Sequence, residues 1–60
     1  MSTDKLYNDI KRLFGEFEHN HTIFTQKGNK AAGTRARKAI GEVKKLVTDY
    51  RKASVSESNN

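Results

Sequence analysis

The residues best equipped for chemistry in this sequence are its cations. Lys30, Arg37, Lys44 and Arg51 recur every seven residues, and so do Lys38, Lys45 and Lys52. On a helix, a seven-residue step returns within about 20° of its start and rises about 10.5 Å. The spacing therefore draws two parallel basic rows along one helix. Arg35, Glu42 and Asp49 make a third, mixed row, whose acids can pair with Lys38, Lys45 and Lys52 at three- and four-residue spacing. The Lys30 row contains no acid. Such rows attract polyanions, meaning DNA, RNA or an anionic membrane surface.

The distribution of charge sharpens this reading. Residues 1–26 hold three basic and four acidic side chains, and residues 27–52 hold nine basic and two acidic, a local net charge of +7. Residues 53–60 add only Glu57. The competing reading is a helix face kept soluble by Lys and Arg, but such faces usually mix the signs more evenly. Asn29 and Thr34, at the start of the same segment, could touch phosphate where free helix N–H groups point outward.

Other chemistries find little support. No Ser, His and acid arrangement suggests a triad, and the carboxylates are scattered. Gly28 and Gly33 enclose four residues, as in a phosphate-binding loop, but Thr34-Arg35 follows where that loop needs Lys and then Ser or Thr. His19 and His21 point about 200° apart on a helix and cannot jointly grip one metal ion. There is no Cys. The expectation is a protein that is not an enzyme, with no metal site, no cofactor and no small-molecule substrate.

These rows must be carried by very few elements. A chain of 60 residues allows one small domain, and such a domain buries only about 60% of the surface its unfolded form exposes. Apolar residues at Leu6, Ile10, Leu13, Phe17 and Phe24 are separated by helical steps, and Tyr7 and Phe14 widen the stripe. Ser2 or Thr3 can cap this helix, with Asp4 in its first turn. The stretch from His19 to Thr25 is rich in weak helix formers, but a lone strand would have no partner, so helix 1 is read over about 3–27. Gly28-Asn29 follows: a residue suited to the left-handed position after a helix, then a strong N-cap. A second seam runs through Ala32, Ala36, Ala39, Val43, Leu46, Tyr50 and Ala53, flanked by Ile40 and Val47, with Gly33 and Gly41 off it.

The pattern predicts an all-α fold, an antiparallel two-helix hairpin over 1–54, with helix 2 at about 30–53 and a polar tail over 55–60. Tyr7, Phe14, Ile40 and Val47 broaden both stripes beyond what one partner helix covers, so a homodimer forming a four-helix bundle is expected. No apolar run approaches the roughly 20 residues of a membrane span, and Met-Ser-Thr-Asp-Lys lacks a signal-peptide layout, so a cytoplasmic location is expected. A seam opening on three alanines also argues against a membrane-surface helix.

Residues 27–38, Lys-Gly-Asn-Lys-Ala-Ala-Gly-Thr-Arg-Ala-Arg-Lys, followed by Tyr50-Arg51-Lys52-Ala53-Ser54-Val55-Ser56, resemble the bacterial histone H1-like proteins, the chlamydial protein and its short bacterial relatives. The resemblance spans about residues 5–57. It implies a nucleoid-associated protein that binds double-stranded DNA and compacts it. The chlamydial members carry a long Lys/Ala-rich tail credited with DNA binding. These 60 residues contain no such stretch, so DNA contacts are expected from helix 2 itself: Lys30, Arg35, Arg37, Lys38, Lys44, Lys45, Arg51 and Lys52. The alternatives are an RNA-binding or ribosome-associated protein with the same charge pattern, and a structural oligomerisation module.

Overall fold

The computed structural model describes residues 3–58. It consists of α1, Thr3–Lys27, and α2, Lys30–Ser58, packed antiparallel as a hairpin 48 Å long. The connection works as the residue types require. Gly28 takes a φ of 64°, and its N–H donates to the Phe24 carbonyl at 3.0 Å. The Asn29 side-chain Oδ1 accepts from the Ala32 N–H at 3.1 Å, capping the first turn of α2.

The weak helix formers of α1 are helical throughout, and their side chains bond back to the preceding turn. Asn20 Nδ2 donates to the Glu16 carbonyl at 2.9 Å, Thr22 Oγ1 to that of Glu18 at 2.9 Å, and Thr25 Oγ1 to that of His21 at 3.0 Å. The polar groups that lower intrinsic propensity are thereby satisfied within the helix.

The core is thin and runs along the contact line. Leu6 and Leu13 of α1 and Ala32, Ala36 and Ala39 of α2 are buried. Ile10, Phe17, Ile23, Val43, Leu46 and Ala53 are half-buried. Three seam assignments need correction. Phe24 and Tyr50, read as seam residues, are 41% and 39% exposed. Gly33, read as off the seam, is buried. For Phe24 and Gly33 the cause is the two-residue connection, which draws the helices together beside it. The Phe24 ring lies across the first turns of α2, and a Cβ on Gly33 would stand 2.8 Å from Phe24 Cδ1. Only glycine leaves room for the ring there.

The far end of the hairpin also departs from expectation. Helix α2 does not stop near residue 53 but continues to Ser58, so residues 55–58 are helix and not tail. Ser54 Oγ donates to the Arg51 carbonyl at 3.0 Å and Ser58 Oγ to that of Ser54 at 2.8 Å. The Glu57 carboxylate accepts from the Thr3 N–H at 3.0 Å and from Thr3 Oγ1 at 2.7 Å. An acid from the last turn of α2 thus satisfies an orphan donor in the first turn of α1. Thr3 is held by this contact and is itself the first residue of α1. The candidate cap Ser2 and the tail residues Asn59 and Asn60 lie outside the described residues.

Candidate nucleic-acid interface

All eight expected contact residues stand exposed on α2, because the small seam residues between them turn toward α1. At 1.5 Å per residue, the row Lys30, Arg37, Lys44, Arg51 spans about 31 Å, and the row Lys38, Lys45, Lys52 spans about 21 Å. The first row drifts by about 20° per heptad toward the side that carries Val47.

The structure separates Arg35 from these rows. Its Nε donates to Asn20 Oδ1 on α1 at 2.8 Å. It lines a shallow groove between the helices together with Glu16, His19, Lys38 and Glu42. Arg35 Nε therefore bridges the two helices, which holds this side chain away from an external anion. Arg37 keeps a contact within α2, its Nη2 donating to Thr34 Oγ1 at 3.3 Å. Asn29 is committed to its cap, and Thr34 Oγ1 also donates to the Lys30 carbonyl at 3.3 Å.

The two helices differ in how their charges are matched. Among the described residues, both ion pairs lie within α1: Lys5 with Asp9 at 3.2 Å and Arg12 with Glu16 at 3.4 Å. Glu42 and Asp49 form no ion pair with Lys38, Lys45 or Lys52, contrary to the pairing the sequence allows. The cations of the α2 rows thus keep their field, while Asp9 and Glu16 of α1 are matched locally. Phosphates along a duplex would meet two rows of cations that run from Lys30 to Lys52.

The two histidines diverge as their spacing requires. His21 stacks on Phe17 with ring centroids 5.9 Å apart, and His19 faces the groove near Arg35. The described residues contain no cluster of three side chains able to hold a metal ion. None of their helices is long and apolar enough to cross a membrane.

Residues 4–60 match the family described as histone H1-like protein Hc1. The chain belongs to that family. No curated protein and no solved structure matches it significantly. Histone H1-like proteins package DNA and are not of an enzymatic kind, so membership points to DNA as the class of partner.

Two other features carry weaker signals in the sequence. Asn20, which anchors Arg35, carries no signal beyond its place among weak helix formers. Glu57 was legible only as a lone acid in a polar segment.

Proposed function

We propose that this protein is a nucleoid-associated, cytoplasmic histone-like protein that binds double-stranded DNA without sequence preference. Lys30, Arg37, Lys44 and Arg51 supply the main phosphate contacts, with Lys38, Lys45 and Lys52 beside them and Arg35 contributing least. Binding gains its free energy from release of the counterions condensed on DNA. A homodimer presents two such helices and thereby compacts the duplex. The observation that carries this reading is the contrast between the two cation rows of α2, which form no ion pair among the described residues, and α1, where Lys5 pairs with Asp9 and Arg12 with Glu16. Family membership supports it.

The side chains suit non-specific contact. Long Lys and Arg side chains on a helix reach phosphates, and no cluster of Asn, Gln and Arg converges to read base edges. A gel-shift titration with random-sequence duplex DNA and with duplex RNA, at several salt concentrations, tests the proposal. The expected result is a salt-dependent shift that favours DNA and does not depend on its sequence. Preference for RNA would instead support the ribosome-associated alternative.

A further inference from the structure

The hairpin has two unlike faces. Tyr7 and Phe14 lie on one flank of α1, 55% and 46% exposed, and Ile40 and Val47 lie on one flank of α2, 38% and 43% exposed. Both pairs are displaced from the core line of their helix in the same rotational sense. In an antiparallel hairpin of right-handed helices, equal displacements fall on the same side. The opposite displacement leads to Asn20 and Arg35, whose hydrogen bond marks the polar face. One side of the hairpin is therefore bridged by polar groups, and the other is an open apolar strip.

The register across the hairpin follows from three contacts: Thr3 with Glu57, Asn20 with Arg35, and Phe24 with Gly33. Counting from them, Val47 stands level with Ile10, between Tyr7 and Phe14 in height. Ile40 stands level with Phe17, between Phe14 and His21. Two copies laid strip to strip about an axis along the helices would place each Val47 between the partner's Tyr7 and Phe14. This is a knob-into-hole register.

Charge selects that arrangement over its alternative. The rim of α2 beside the strip carries Arg37, Lys44 and Arg51, all positive. The rim of α1 carries Asp4, Lys11 and Glu18, a net −1. Stacking α2 over the partner's α2 would crowd six cations together, whereas stacking α2 over the partner's α1 sets each cationic rim against a rim containing acids.

We infer that a second copy of this chain covers the Tyr7, Phe14, Ile40 and Val47 strip with α1 of one copy over α2 of the other, so that the two basic helices occupy opposite corners of a four-helix bundle and each dimer bridges two duplexes. This rests on the DNA-binding reading of α2 for its bridging half. It replaces bending of one duplex, which would need both basic helices on one side.

The chain has no Cys, so introduced cysteines report the pairing directly. Full-length Val47→Cys chains mixed with Phe14→Cys chains should form a disulfide-linked dimer on mild oxidation, and Val47→Cys chains alone should not. Self-linking of Val47→Cys chains in preference to the mixed pair would overturn the arrangement. In parallel, bead-bound duplex DNA loaded with the wild type should capture a second, labelled duplex. Phe14→Glu and Val47→Glu chains, checked for helicity by circular dichroism, should still shift a single duplex but lose that capture. Retained capture by both folded variants would overturn bridging alone. If no chain shifts duplex DNA, the DNA-binding reading fails and bridging fails with it, while the cross-linking result still judges the pairing.

Discussion

Gly33 offers a sharp test of how the helices meet. Alanine in place of an exposed helical glycine usually stabilises by about 0.5–1 kcal/mol, because glycine has more backbone freedom to lose. Gly41 is such a position, with nothing within 4 Å of the Cβ it would gain. Gly33 carries the same propensity gain but a different environment. Its new Cβ would meet Phe24 Cδ1 at 2.8 Å, Cε1 at 2.9 Å and Cγ at 3.3 Å. Contact with the near end of the ring cannot be relieved by moving only its far edge, so the ring or the helix must shift. Overpacking of this kind costs about 1–3 kcal/mol. Gly33→Ala should therefore be neutral to about 2 kcal/mol destabilising, while Gly41→Ala stabilises. For a domain of this size a 1 kcal/mol difference moves the midpoint by about 4–8 °C. Thermal melts followed by circular dichroism, at one fixed protein concentration, would resolve the two. Phe24→Ala should relieve the clash, so the Gly33→Ala cost should vanish in that background. If Gly33→Ala stabilised as much as Gly41→Ala, the close approach beside the connection would be refuted.

Leu13→Ala removes one of two buried leucines and should cost about 2–5 kcal/mol, enough to abolish the cooperative melt of so thin a core. Phe14→Ala, on the exposed strip, should cost the fold far less, and sedimentation equilibrium should show its effect as weakened self-association. The Thr3 hydroxyl, and then the Thr3 N–H, hold the Glu57 carboxyl below the usual carboxylate range. A depressed folded-state pKa contributes stability above the unfolded pKa that is lost as pH falls through the folded value. Acidification through and below the carboxylate range should therefore fray residues 54–58, seen as lower amide protection factors relative to the intrinsic exchange rate at each pH, and Glu57→Gln should lower them at neutral pH. Unchanged protection in both experiments would contradict the clasp.

The hairpin was legible because its signals agree locally. The four- and three-residue steps of Leu6, Ile10 and Leu13, the Gly28-Asn29 pair and the heptads of Ala32, Ala36 and Ala39 all point to the same two helices. The failures arose where tertiary contact overrides local pattern. Nothing local to Ser54–Ser58 announces a helix, since its contact with Thr3 comes from 54 residues away in sequence. Periodicity placed Phe24 on the seam, but it could not show that the tight connection would push the ring against Gly33. The basic rows were fully legible, because a heptad repeat of charge needs only a helix to become a line. Which cations remain free was not, because Arg35 is tied down by Asn20 on the other helix.

The central claim is that the rows of α2 hold DNA, and the salt dependence of binding by an Arg37→Gln/Lys44→Gln chain tests it most directly. Each phosphate neutralised contributes a slope of about −0.9 to log affinity against log salt, so two lost contacts should flatten the slope by about 1.8. At 0.1 M salt the same loss corresponds to about 60-fold weaker binding, nearly equal for every sequence tried. The fold should survive, since both residues are exposed. A Lys5→Gln/Lys11→Gln chain should lose much less, because Lys5 is already paired with Asp9 and α1 carries no net positive charge. Equal slopes and affinities for the wild type and the Arg37→Gln/Lys44→Gln chain would contradict the account and leave the cations of α2 as a merely solvated face.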